Sequence, residues 1–262
     1  MRETIIKEIK TALQNNQYVF ALWLEGADAL GKVDKYSDID FVADVLDNFE
    51  YKIFKLIEDT LSKIGKLDIN EEVYVDHDKI YQKIYHLENT SEYLQIDFNI
   101  QSHSRKKEES TFVNGDIFEY AKLLFDKNNV VTFKEEDYVV DKEYIIRKVN
   151  EFRIRYTQHS RVIKYCEREQ FLEAKMYYNK YVADPLLELA RLIYTPKYFY
   201  LYMLHISDHM PKNVIEELES FYKVSNTRDI KENTFRSKEV FERYVSVIND
   251  KYELVEVLDG KI

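Results

Sequence analysis

Two aspartates separated by one residue, Asp38 and Asp40, are the first side chains whose type and spacing suggest chemistry. They open the segment DIDFVADV, in which polar and apolar residues alternate as in a strand with one buried face. Residues two apart on a strand project from the same face, so both carboxylates should point together while Ile39 and Phe41 point into the core. Mg²⁺ is usually held by one or two carboxylates together with substrate phosphates. The pair therefore predicts a Mg²⁺ site that handles a phosphate compound.

Glycines in the preceding segment supply a second requirement of such a site. The apolar run Tyr18–Leu24 (YVFALWL) reads as a strand, and Gly26 and Gly31 follow it before the aspartates. Glycine permits a tight turn and lets backbone N–H groups approach a phosphate without a side chain in the way. We therefore expect the turn at Gly26 to cradle a triphosphate.

A third carboxylate occurs in the segment Tyr93–Ile100 (YLQIDFNI). Its strict alternation places Leu94, Ile96 and Phe98 on one face and Asp97 on the other. If this strand neighbours the strand of Asp38, then Asp97 can hold a metal or take a proton from an attacking hydroxyl. Spacing alone does not decide whether the strands are neighbours, so both roles stay open.

Taken in order, these motifs resemble the nucleotidyltransferase superfamily that includes DNA polymerase beta and the antibiotic-modifying nucleotidyltransferases. The pattern of that family is an apolar strand, Gly-Ser, a short loop, Asp-x-Asp or Asp-x-Glu on the next strand, and a third carboxylate on a later strand. Here the matching residues are Leu24, Gly26, Ser37, Asp38, Asp40 and Asp97. The resemblance implies that Asp38, Asp40 and Asp97 act in catalysis and bind Mg²⁺. It also implies that the nucleotide is contacted by Gly26, Ala27, Gly31 and Ser37.

The resemblance is closest in type to the small bacterial enzymes that modify aminoglycosides and lincosamides. It implies transfer of a nucleoside monophosphate from ATP or another nucleoside triphosphate to a hydroxyl of a small, cationic, antibiotic-like acceptor, with release of pyrophosphate. Adenylyl transfer is the favoured form of this reaction.

Three residues depart from the family pattern. Ala27 stands where serine usually follows the glycine, Leu30 stands where arginine is common, and Asp28 adds a negative charge near the expected phosphates. These departures support a rival hypothesis, in which the chain is a degenerate nucleotidyltransferase that binds nucleotide as a regulatory or antitoxin-like module without turnover.

The elements that must position these residues predict an α+β protein. An N-terminal mixed β-sheet flanked by helices, residues 1–140, is the expected nucleotidyltransferase domain, and a C-terminal α-helical bundle, residues 141–262, is the expected acceptor-binding domain. Further strands are predicted near 66–75 and 79–87, and a helix at 49–64. Helices are predicted over 142–169, 172–194, 211–222 and 238–258, with a restart where Asp184 could cap and Pro185 could begin a helix.

The overall charge helps to rank partners. Asp and Glu number 48 against 38 Lys and Arg, a net charge of −10, which disfavours nucleic acid and anionic membranes and suits a cationic small molecule. The first 14 residues read as an amphipathic helix and not as a secretory segment, and no apolar run is long enough to span a membrane. With one cysteine, Cys166, and hence no internal disulfide framework, we expect a cytoplasmic protein, and a homodimer is left open.

Two further pairs are weighed and set aside. His205 and His209 have the one-turn spacing of zinc ligands, but the glutamate of zinc proteases and a third ligand are missing. Arg153 and His159 have a spacing that resembles small helical ribonucleases of toxin–antitoxin systems, without further support from the sequence.

Overall fold

The computed structural model describes residues 1–254, and contacts within the chain divide it into two compact units at Asp137 and Tyr138. The functional roles predicted for residues 1–140 and 141–262 stay predictions.

The first unit is built on a six-stranded mixed sheet in the order β3-β4-β5-β2-β1-β7. Strands β2 and β5 are parallel, and the other neighbours are antiparallel. A separate pair, β6 and β8, is parallel. The strands are β1 Val19–Leu24, β2 Ile39–Val45, β3 Leu67–Val73, β4 Ile80–Leu87, β5 Ile96–Ser102, β6 Thr111–Val113, β7 Lys122–Asp126 and β8 Thr132–Lys134.

Two amphipathic helices, α1 (Arg2–Gln14) and α3 (Glu50–Ile64), cover one face of this sheet. Their apolar residues recur every three or four positions, and the buried ones join the core formed by alternate strand residues such as Ile39 and Phe41. On the other face, Trp23 and Val42 form a smaller cluster with Ala121 and Val131. The predicted α+β class and the inward orientation of Ile39 and Phe41 are confirmed.

The second unit consists of helices around its own apolar core. A 3₁₀ segment, Pro196–Leu201, and a π-helical turn, Asn179–Ala183, interrupt the α-helices. The helices are α4 Lys142–Tyr156, α5 His159–Glu167, α6 Phe171–Tyr178, α7 Asp184–Tyr194, α8 Ile206–His209, α9 Lys212–Tyr222 and α10 Thr227–Tyr252. None of the helices within residues 1–254 is long and apolar enough to cross a membrane.

Two predicted helices differ from the observed ones. The helix predicted over 142–169 breaks after Tyr156, where the Thr157 hydroxyl donates to the carbonyl of Ile154 at 2.7 Å and competes with the helical pattern. The helix predicted from 238 begins instead at Thr227, because the Asn226 side chain accepts from the backbone N–H of Asp229 at 2.9 Å. Its predicted end at residue 258 lies outside the described residues.

The predicted cap at Asp184 is wrong. Helix α7 follows directly from the π-helical turn, so no free helix start exists there, although Pro185 does occupy the first turn. The Asp184 carboxylate instead accepts a hydrogen bond from the Tyr222 hydroxyl at 2.9 Å.

Candidate active site

The parallel pairing of β2 and β5 brings two of the predicted catalytic carboxylates together. Asp40 lies directly opposite Asp97 in this register, with Ile39 opposite Ile96. Paired residues in a sheet share a face, so both carboxylates project from the face opposite the α1 and α3 helices. Asp38 is exposed and immediately precedes β2. The strand adjacency that the sequence left open is therefore present.

The surroundings of Asp40 raise its pKa. Burial raises the pKa of Asp40 to about 7, and the negative charges of Asp38, Asp97, Glu25 and Asp28 add to the increase in that order. Among the described residues, no lysine, arginine or histidine forms an ion pair with Asp38, Asp40 or Asp97. A cationic ligand would therefore relieve the repulsion between these carboxylates.

Gly26 is required by the position of the Asp40 side chain. A Cβ atom added to Gly26 would lie 2.1 Å from Oδ2 of Asp40, and the residue has φ of +56°, where side chains are rarely tolerated. The neighbouring backbone N–H of Glu25 donates to the carbonyl of Asp40 at 3.0 Å. The turn after β1 is thus fitted closely against the Asp40 carboxylate.

Asp97 is oriented by two amide side chains. Nε2 of Gln82 lies 2.9 Å from Oδ1 and 2.7 Å from Oδ2 of Asp97, and Nδ2 of Asn99 donates to Oδ1 at 3.1 Å. Burial raises the pKa of Asp97, the amide hydrogen bonds oppose that increase, and the charge of Asp38 adds to it. Sequence reasoning missed both amides. Asn99 could have been found from its place two residues after Asp97, but Gln82 depends on the pairing of β4 with β5.

The oxygen-only donor set suits Mg²⁺, for which one or two carboxylates are enough when substrate phosphates complete the shell. Within residues 1–254, no three histidine, cysteine, aspartate or glutamate side chains are arranged as ligands of one ion. A carboxylate oxygen that accepts one hydrogen bond can still bind a cation, so the amide contacts of Asp97 do not exclude it as a ligand. The metal roles of Asp38, Asp40 and Asp97 stay predictions.

The other residues predicted to contact the nucleotide lie in a short helix and the loop after it. Helix α2 (Gly26–Leu30) was not predicted; Gly31 ends it in the left-handed conformation, with its N–H on the carbonyl of Ala27. The Ser37 hydroxyl donates to Oδ1 of Asp34 and accepts from the N–H of Asp34, both at 2.9 Å. The nucleotide contacts of Gly26, Ala27, Gly31 and Ser37 stay predictions.

Three charged residues near the cluster were not assigned a role from the sequence. Asp28 is buried but forms an ion pair with Arg2, so its charge is compensated. Burial is the main cause that raises the pKa of Asp28, and Arg2 opposes the increase. Glu25 accepts a hydrogen bond from Nε1 of Trp23 at 2.8 Å, and burial raises its pKa. The sequence had marked Asp28 as a negative charge near the expected phosphates, whereas only its place directly before Gly26 could have indicated Glu25, and no sequence motif indicates Arg2.

One histidine of each pair set aside from the sequence forms a contact within the second unit. Nδ1 of His209 lies 3.1 Å from the buried guanidinium of Arg191, and a ring nitrogen of His159 lies 3.1 Å from the carbonyl of Tyr156. Cys166 is buried, and burial raises the pKa of its thiol, which disfavours the reactive thiolate.

Comparison with known proteins places the chain in a family. A search of curated protein sequences gives no match. Among solved structures, it is similar to a spectinomycin adenyltransferase from Enterococcus faecialis, solved with ATP and spectinomycin, at 11% identity over 90% of this chain and 99% of that one (TM-score 0.32). It is also similar to a chain of a GLD-2/RNP-8 complex, at 11% identity over 87% of this chain and 61% of that one (TM-score 0.30). The family model for streptomycin adenylyltransferase matches residues 1–258, which confirms the predicted adenylyltransferase type. The chain belongs to the streptomycin adenylyltransferase family.

Proposed function

We propose that this protein transfers AMP from ATP to a hydroxyl group of a small, cationic, antibiotic-like acceptor and releases pyrophosphate. The observation that carries the proposal is the pairing of Asp40 with Asp97 across β2 and β5, with Asp38 two residues before Asp40. Membership of the streptomycin adenylyltransferase family supports both the adenylyl group and an acceptor of this class.

The three carboxylates of the cluster would have different roles in the reaction. Asp38 and Asp40 would hold Mg²⁺, with Asp97 beside them, and the ion would neutralise the triphosphate and polarise the reacting phosphate. Asp97, oriented by Gln82 and Asn99, would accept the proton of the acceptor hydroxyl as that oxygen attacks the α-phosphate. The close packing of Gly26 on Asp40 would bring the backbone of the turn to the phosphates next to the metal ligands.

The acceptor is inferred from charge and family. A net charge of −10 favours a cationic small molecule over a polynucleotide, and the aminoglycoside streptomycin is such a molecule. We assign nucleotide binding to residues 1–140 and acceptor binding to the helical residues 141–262. A cytoplasmic location is part of the same proposal, and a homodimer stays open.

One experiment tests the proposal directly. The protein is incubated with Mg²⁺, each of the four nucleoside triphosphates in turn, and a panel of aminoglycosides, spectinomycin, lincosamides and nucleic acids. We expect an adenylyl mass increase on a small acceptor, together with pyrophosphate, when ATP is supplied. A product only on nucleic acid would contradict the acceptor class. Nucleotide binding without any product would support the regulatory alternative.

We expect Mg-ATP to stabilise the protein in a pH-dependent way. At 100 times its Kd, a ligand adds about 2.7 kcal/mol to the free energy of unfolding, which for a chain of this size corresponds to a Tm increase of roughly 5 °C or more. Since the pKa of Asp40 is raised to about 7, protons compete with the metal at lower pH. The Tm increase measured by differential scanning fluorimetry should therefore be larger at pH 8 than at pH 6.

In the unliganded protein, the contribution of Asp40 to the free energy of unfolding should instead decrease as the pH rises. The folded-state pKa of Asp40 lies above that of the unfolded chain, so its contribution to stability is present at low pH and is lost as the pH rises from about 4 towards 7. Equal stabilisation by ATP in excess chelator, or a Tm increase that is the same at both pH values, would contradict metal binding at Asp40.

A further inference from the structure

We propose that Arg2 is a positioning residue that holds Asp38 in place for metal binding, an inference that rests on the proposed function. Arg2 lies in the first turn of α1, outside every motif that marks the site in the sequence. Its Nη1 donates to Oδ2 of Asp28, and its Nη2 donates to the backbone carbonyls of Ser37 and Asp38, the latter at 2.6 Å.

The backbone at Asp38 needs such an anchor because of what precedes it. Residues 31–36 are all exposed, and β2 begins only at Ile39, whose N–H donates to the carbonyl of Gln95 at 2.9 Å. Asp38 therefore lies between an exposed loop and the first bonded residue of the sheet. Within the described chain, the side chain that donates a hydrogen bond to its backbone is that of Arg2.

The chemistry of arginine suits this task. A guanidinium is planar and presents its N–H donors in a fixed arrangement, so three simultaneous acceptors fix the relative positions of Asp28, Ser37 and Asp38. The helix that carries Arg2 is held in place, because α1 is buried against the sheet through Ile5 and Ile9. Arg2 also forms an ion pair with the buried carboxylate of Asp28. The hydrogen bonds of Arg2 thus connect a helix of the core to the backbone of Asp38, the first of the proposed metal ligands.

The test uses two variants. Arg2→Lys keeps the positive charge but loses the planar set of guanidinium donors, and Arg2→Met loses both the charge and the donors. Lys7→Gln is the matched control, because it removes a cation from an exposed position of the same helix. For each protein we would measure Tm, the Mg²⁺ concentration that gives half-maximal ATP binding, and the KM and kcat of adenylyl transfer. We expect both Arg2 variants to fold and to need roughly 10-fold more Mg²⁺, the change from an orienting contact worth about 1.4 kcal/mol. Lys7→Gln should behave as wild type.

A double variant separates the two contributions of Arg2. If Arg2 acted only by compensating the charge of Asp28, then Asp28→Asn in the Arg2→Met background would restore the wild-type Mg²⁺ requirement. Positioning through the carbonyls of Ser37 and Asp38 predicts that the requirement stays raised. Full restoration, or an unchanged Mg²⁺ requirement in Arg2→Met, would overturn the inference while leaving the proposed function intact. Wild-type protein that binds ATP equally well without Mg²⁺ would overturn both.

Discussion

Asp40→Asn is expected to lower adenylyl transfer by at least about 10³-fold while the protein stays folded. The substitution removes the charge of a proposed metal ligand whose pKa is raised by burial and by the neighbouring carboxylates, and metal-assisted stabilisation of a phosphoryl transition state is worth several kcal/mol. The variant should still unfold cooperatively and be at least as stable as wild type, because a charge that is costly to bury is removed. Asp38→Asn should have a similar effect on turnover.

The measurement is kcat/KM for AMP transfer, followed by circular dichroism and thermal unfolding of each variant. Asp59→Asn provides a matched control, since it removes the same charge from an exposed position on α3, outside the carboxylate cluster. Activity of Asp40→Asn within a few-fold of wild type would contradict the metal assignment. Loss of cooperative unfolding would indicate a structural role for the residue instead.

Much of the first unit could be predicted because its sequence patterns are local. The apolar run YVFALWL and the alternation in DIDFVADV predicted β1 and β2 to within a residue, and the spacing of Ile53, Ile57 and Leu61 predicted α3. Helical patterns in the second unit were recognised as well, and the predicted helices at 172–194 and 211–222 match to within a residue at their outer ends, but two other helix boundaries were missed. A turn at Thr157 and a cap at Asn226 depend on single hydrogen bonds that periodicity does not report.

The parts of the site that sequence reasoning missed depend on contacts between distant segments. Gln82 reaches Asp97 only because β4 pairs with β5, and Arg2 reaches Asp38 across 36 positions of the chain. The same holds for the need for glycine at position 26. A glycine after a strand predicts a turn, but only the structure shows that the Asp40 carboxylate occupies the space of its missing side chain. Motifs therefore identified the reacting groups, and tertiary contacts identified the residues that orient them.

Asp97→Asn distinguishes a general base from a metal ligand. Loss of a base slows the chemical step by roughly 10²–10⁴-fold and leaves binding of Mg-ATP nearly intact, whereas loss of a ligand raises the Mg²⁺ concentration needed for binding. The amide hydrogen bonds to both carboxylate oxygens and the raised pKa favour the base, since a base works best when its pKa is closer to the working pH. We therefore expect a large fall in kcat with little change in the Kd of Mg-ATP.

The pH dependence of Asp97→Asn provides a second test of Asp97 as the general base. If Asp97 accepts the proton of the acceptor hydroxyl, then kcat of the wild type should fall at acidic pH as Asp97 becomes protonated, and this fall should be missing from the residual activity of Asp97→Asn. Gln82→Leu is the companion variant, because it keeps the base and removes an orienting donor. It should lose less activity than Asp97→Asn and keep the acidic fall, shifted to higher pH because a hydrogen bond that stabilises the carboxylate is gone. Unchanged turnover of Asp97→Asn at saturating Mg²⁺ and acceptor would remove Asp97 from the site and direct the search for a base to Glu25, which the structure places in the same electrostatic cluster.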